Sequence, residues 1–134
     1  MDGSGLSIVM FSGTDDRLNA AAVLAAGAAA MGRRVNIFLQ YWALDAFRTD
    51  RITKDHGVSA EAGSAGAELM QRQGGCTGAR SSARPRTSVR WRSTRARCRW
   101  RCSGSRSRTL DPLVDGQEGV ASFFMDVDGP LTFI

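Results

Sequence analysis

Residues 6–39, LSIVMFSGTDDRLNAAAVLAAGAAAMGRRVNIFL, decide the fold. Leu6–Phe11 is a short apolar run bounded by glycines, the pattern of a strand buried on both faces rather than of one half exposed to water. Ser12-Gly13-Thr14-Asp15-Asp16 follows, a turn rich in helix-capping residues. Asp15 and Asp16 fall in the first turn of the expected helix, where the helix dipole favours negative charge. The alanine-rich run to about Met31 has high helix propensity and a thin profile suited to close packing on a sheet. Gly32 is a natural C-cap, and Arg33 and Arg34 put cations at the helix end. Val35–Leu39 is a second buried strand. Strand, helix and strand in this compass make a βαβ unit with parallel strands.

Outward from that unit, Tyr41–Phe47 begins a second, aromatic-rich helical stretch. Residues 51–66 are polar and rich in Gly, Ala and Ser and read as a long loop, after which Ala67–Gln71 restarts a helix. Near the far end, LDPLVDG at 110–116 reads as a short helix or turn, GVASFFMDV at 119–127 as a strand of strong β-formers, Asp128-Gly129 as a turn, and Leu131–Ile134 as a closing strand. The length of 134 residues suits one domain with a real core.

The stretch Arg72–Arg108 does not match its surroundings. It holds twelve of the eighteen basic residues, none of the thirteen acidic ones, all three cysteines (Cys76, Cys98, Cys102) and two of the three tryptophans, Trp91 and Trp100. It has no Leu, Ile, Met or Phe. The rest of the chain carries six basic against thirteen acidic side chains, a net of −7, so the formal +5 belongs to this segment alone. As written, residues 73–108 are expected to be irregular, exposed backbone, because a buried strand there would bury arginines.

Three stretches together resemble the DsrE/DsrF-like family of small sulfur-relay proteins: LSIVMFSGTDDRLNAAAVLAAGAAAMG, VNIFLQYWALDAF and LDPLVDGQEGVASFFMDVDGPLTFI. The loop KDHGVSAEAGSAGAELMQR is similar to the branch of that family labelled peroxiredoxin-like. The resemblance covers roughly residues 5–72 and 109–134 and rests on the order and spacing of these stretches. It implies an α/β, flavodoxin-like layered fold with a mainly parallel sheet, oligomeric assembly, and sulfane sulfur carried on one cysteine at the carboxyl end of a central strand. The family has a helix, a strand and a V-x-A-C-S type motif between AELMQR and LDPLVDG; here that central strand and helix are disrupted by arginine, serine and tryptophan.

The genetic code suggests a reason. Let each new codon take the last base of one written codon and the first two of the next, with four-fold-box codons for Arg and Ser. The junctions Arg90/Trp91, Arg97/Cys98, Arg99/Trp100 and Arg101/Cys102 must then encode Leu, Met or Val, and Trp91/Arg92 and Trp100/Arg101 must encode Ala. Arg92/Ser93 must encode an apolar residue; Ser93/Thr94 can encode His or Tyr, Thr94/Arg95 Ala, and Arg95/Ala96 Cys. The recovered string can be written V-A-V-H-A-C-S-L-S-M-A-V-L-G, a strand running into a cysteine and then an apolar helix start. The segment therefore reads as an out-of-frame translation; the competing reading is a genuine basic insertion.

The expected site follows from these readings. In a doubly wound sheet, ligands and reactive groups gather at the carboxyl ends of the strands. Ser12, Gly13 and Thr14 end the first strand and Tyr41 and Trp42 the second, so these five residues are expected to share one rim. Helix capping and packing are the plainer roles for each of them, and two carboxylates beside a single glycine make a phosphate cradle a poor reading. No cysteine occupies the position of the family's persulfide; Cys98 and Cys102 are the nearest, without the strand or the A-C-S context, so no catalytic residue is assigned. Cys98-x3-Cys102 lacks a companion pair, and the only histidine, His56, reads as a solvated loop residue, so no metal and no cofactor are expected.

The function expected is that of a small sulfur-handling subunit, sulfurtransferase-like at most and inactive as written. Its expected partners are copies of itself or related sulfur-relay subunits. Two other classes remain open: an RNA clamp made of the arginines and tryptophans, whose affinity would fall steeply with salt, and a structural subunit with an aromatic rim. Nucleic acid is not the expected partner. With no basic stretch after Met1 and no apolar run near the roughly 20 residues of a membrane span, the cytoplasm is the expected location.

Overall fold

A computed structural model of the chain describes residues 5–72, 89–94 and 110–134. Its elements run β1 (Leu6–Met10), α1 (Asp15–Ala30), β2 (Val35–Leu39), α2 (Tyr41–Ala46), α3 (Gly63–Arg72), β3 (Val89–Thr94), β4 (Gly116–Glu118), α4 (Val120–Met125) and β5 (Leu131–Phe133). The five strands form one sheet in the order β4-β3-β2-β1-β5, and every neighbouring pair is parallel. This is the expected α/β, flavodoxin-like layout.

Alternation along the strands divides the core between the two faces of the sheet. Ile8 and Met10 of β1 and Val35, Ile37 and Leu39 of β2 pack against Leu18, Ala21, Ala25 and Ala28 of α1 and against Ala43, Ala46, Phe47 and Ile52. The alanines let α1 lie close to the sheet. On the other face Val9 and Phe38 meet Phe123 of α4, with Val127 and Leu131 at the margin. Phe38 and Phe123 stack at 4.7 Å between ring centroids with planes 20° apart.

The helix ends show how sequence becomes geometry. Gly32 takes φ +73°, the left-handed conformation that closes α1, and its N–H donates to the Ala29 carbonyl at 2.9 Å. Arg34 lies beyond the last turn and pairs with Asp128, which also accepts the Gly5 N–H at 2.9 Å. That link joins the amino end of β1 to the turn before β5. Residues 110–114 form a turn: the Asp111 carboxylate accepts the Leu113 N–H at 2.9 Å, and the Asp111 N–H donates to the Phe47 carbonyl at 2.9 Å.

Four expectations are corrected. Val120–Met125, expected within a strand, is helix α4; the strand of this region is Gly116–Glu118, just before it. Only Phe123 of the helix is buried, which is one core contact per turn and not the alternation of a strand. Helix α3 begins at Gly63, four residues before the expected Ala67, so the loop is shorter than expected. His56 is half-buried and not a freely solvated side chain. Finally, Val89–Thr94 is not irregular: it is an interior strand, with Val35–Leu39 paired to Val89–Ser93 on one side and Gly116–Glu118 paired to Arg92–Thr94 on the other. Backbone pairing depends little on side-chain identity, and Val, Trp and Thr favour extended chain, so β2 gains a partner even where the letters alternate with arginine. The remaining expectations for the segment, including Cys76, Cys98, Trp100 and Cys102, lie outside the described residues.

Candidate functional site

The strand order reverses at β1, which has β2 on one side and β5 on the other. The helix α1 that follows β1 and the helix α4 that precedes β5 lie on opposite faces of the sheet. A crevice outside the carboxyl ends of the strands is the expected consequence of such a reversal. The Phe11 N–H donates to the Ile134 carbonyl at 2.8 Å, and the Gln40 N–H to the Met10 carbonyl at 2.9 Å, so the ends of β5, β1 and β2 stay level.

Three aromatic side chains line this edge. Phe11 stacks on Tyr41 at 5.9 Å and 26°, and on Phe133 at 6.2 Å and 18°. All three are exposed, as is Trp42, whose exposure of 63% is high for a tryptophan. Tyr41 takes φ +47°, a left-handed conformation that costs a bulky residue of order 1–3 kcal/mol.

The Ser12–Thr14 turn lies against the start of α2, where Tyr41 and Trp42 stand. Gly13 is tightly enclosed: a Cβ at that position would run into the Trp42 carbonyl oxygen and would lie 3.0 Å from the Ala46 Cβ. The Ser12 and Thr14 hydroxyls are 3.1 Å apart. The Ala43 N–H donates to the Phe11 carbonyl at 3.0 Å. The turn after β1 is thus seated against α2 by backbone contact. Gly13→Ala should separate the two and destabilise the fold by about 1–3 kcal/mol, read as a lower midpoint in urea unfolding; an unchanged midpoint would show that the turn shifts freely.

Thr14 is the N-cap of α1, yet its side chain makes no capping bond to the helix backbone. The cap comes from a remote loop. The Asp15 N–H donates to the Gly57 carbonyl at 2.8 Å, and the Asp15 carboxylate accepts the His56 N–H at 3.0 Å. Asp16 accepts the Ser59 N–H at 3.0 Å and the Ser59 hydroxyl at 2.5 Å, and Arg17 pairs with Glu61. Gly57 takes φ +68°, which needs glycine. Burial pushes the Asp16 carboxyl up, but hydrogen bonds from Ser59 and Thr14 outweigh it and hold the group below its ordinary 3.8. Asp55 is also lowered, first by the Gly57 N–H and then by a hydrogen bond with Asp15. These carboxylates hold the loop.

Phe11 and Phe133, which stack at this edge, were not among the residues expected there. Each ends an apolar run and reads as core until β5 is known to lie beside β1. Cys98 and Cys102 lie outside the described residues, as does Cys76, so the described rim offers hydroxyls and aromatic faces. Among the described residues no group of three or more His, Cys, Asp or Glu side chains is placed to hold a metal.

A family model described as DsrE/DsrF/DrsH-like matches residues 3–74. The chain belongs to that family. The match takes in β1, α1, β2, α2 and α3, so the Ser12–Thr14 turn and the Tyr41–Trp42 pair are within the DsrE-like part of the chain. It stops at residue 74, just inside the Arg72–Arg108 segment. No curated protein matches the chain.

Proposed function

We propose that this chain is a sulfur-handling subunit, a persulfide carrier or sulfurtransferase-like protein, whose written form lacks the transfer cysteine because residues 73–108 are spelled out of frame. The observation that carries the reading is a coincidence of boundaries. The family match ends at residue 74, β3 occupies 89–94, and the first junction after β3 able to encode a cysteine is Arg95/Ala96, directly behind the strand.

The chemistry needs a cysteine at that point. A thiolate attacks the outer sulfur of a donor persulfide, the donor's sulfur–sulfur bond breaks, and the donor leaves as a thiolate with the bonding pair. The exchange is redox-neutral and needs an exposed, low-pKa thiol. Ser93 pairs with Leu39, so Thr94 comes level with the step from β2 into the Tyr41–Trp42 rim. A cysteine following Thr94 would open on that rim. Helix α3 buries none of its residues and leaves Leu69 55% exposed, as expected where the apolar segment meant to follow β3 is misspelled.

The exposed Tyr41 and Trp42 also support assembly with copies of the chain or with related sulfur-relay subunits, since aromatic residues concentrate in protein contacts. No helix among the described residues is long and apolar enough to cross a membrane, which accords with a cytoplasmic subunit. The written chain, incubated with a small-molecule persulfide donor and examined by intact-mass spectrometry, should gain no stable sulfur. A stable adduct of one sulfur on Cys98 or Cys102 would overturn the assignment of inactivity.

A further inference from the structure

The loop that caps α1 has a feature that the sulfur reading does not use. The ring of His56, the only histidine in the chain, is half-buried, and its Nε2 is sealed from solvent without a hydrogen-bond partner among the described residues. The same residue's N–H is bonded to Asp15, and the next residue's carbonyl caps the Asp15 N–H. The ring is carried on the stretch of backbone that makes both bonds.

We propose that the Asp55–Ser59 loop is a pH-operated latch on the amino end of α1, closed while the His56 imidazole is neutral and released when it takes up a proton. A neutral imidazole tolerates a dry, unpartnered Nε2. An imidazolium gains an N–H at that atom, and a buried donor with no acceptor is costly. The ring gains most by turning out to solvent. That movement draws the His56 N–H from the Asp15 carboxylate and the Gly57 carbonyl from the Asp15 N–H, and uncaps the helix that follows the Ser12–Thr14 turn.

The charges around the ring do not all point one way. Asp15 from α1, Asp45 from α2 and Asp55 from the loop favour the proton, while Arg51 from the turn after α2 opposes it. Desolvation is the largest influence, and the balance holds the His56 pKa below its ordinary 6.5. A group lowered on folding binds its proton more readily in the open state. Latch stability is therefore complete above the open-state value near 6.5 and is lost as pH falls below it. Asp16 is held below 3.8, so the Ser59 bonds stay charged through this range and give way only at lower pH.

The test uses the full chain. Hydrogen-exchange protection of the Asp15 and His56 amides, the two donors that the latch releases, is corrected for intrinsic rates and compared at about pH 7.5 and about pH 5. The single imidazole is titrated by NMR in the same samples. Protection should fall at least about threefold on acidification, with a midpoint that coincides with the His56 titration, and the fall should vanish in His56→Gln, which cannot charge. Protection unchanged by pH, an equal fall in His56→Gln, or a loop transition displaced from the imidazole titration would each overturn the latch. The last comparison needs no variant, so a His56→Gln protein that fails to fold does not remove the test.

Discussion

Phe38→Ala should lower the unfolding free energy by about 3–5 kcal/mol, the range for removing a buried aromatic ring. Phe38 is fully buried in β2 and stacks on Phe123, the only buried residue of α4. Among the described residues, the core on the second face of the sheet is Val9, Phe38 and Phe123, with Val127 and Leu131 packed against it. Loss of the ring therefore loosens the hold of a whole helix as well as leaving a cavity. Domains are stable by only about 5–15 kcal/mol, so the variant should unfold at a much lower urea concentration or fail to fold at ambient temperature. Met125→Ala, on the same helix but 86% exposed, should change stability by no more than about 0.5 kcal/mol. A Phe38→Ala loss below about 1 kcal/mol would mean that α4 is not held to the sheet by this stack.

The same face shows where sequence reasoning stopped. The run from β1 through α1 to β2 was legible because buried parallel strands are continuously apolar and a long alanine-rich helix between glycines resembles little else. Helix α4 was misread because its six residues include Val120, Phe123 and Phe124, all β-formers, and so short a run has no room to show a helical period. The three residues of β4, Gly116–Glu118, show no strand pattern at all and are placed by pairing with β3. At the rim, Ser12–Thr14 and Tyr41–Trp42 followed from strand ends alone. Phe11 and Phe133 needed the adjacency of β1 and β5, which is a property of topology and not of spacing. The cap on α1 illustrates the same limit: Thr14 carries the capping signal, while the bond comes from Gly57, forty-odd residues away in sequence.

The second large effect concerns chemistry. A chain whose residues 73–108 are replaced by the sequence read in the shifted frame should gain a reactive cysteine directly after β3. That protein should take up one sulfur from a persulfide donor and pass it to an acceptor thiol, while the written chain is expected to do neither. Replacing the restored cysteine with serine should abolish the uptake without altering the fold, since a lone exposed thiol contributes reactivity more than packing. Stability should rise as well. Apolar residues in place of arginines would let an interior strand and the helix after it bury surface worth about 25 cal/mol per Å². A restored protein that folds as before and takes up no sulfur would remove the sulfur reading while leaving family membership intact.

The central claim is tested most directly by reading the nucleotides across codons 72–108 and translating them in the frame that takes the last base of one written codon and the first two of the next. An open frame free of stop codons is expected, with an apolar strand over 89–94, a cysteine at the Arg95/Ala96 junction and an apolar helix start after it. A stop codon in that frame, or a junction at Arg95/Ala96 that cannot encode cysteine, would contradict it.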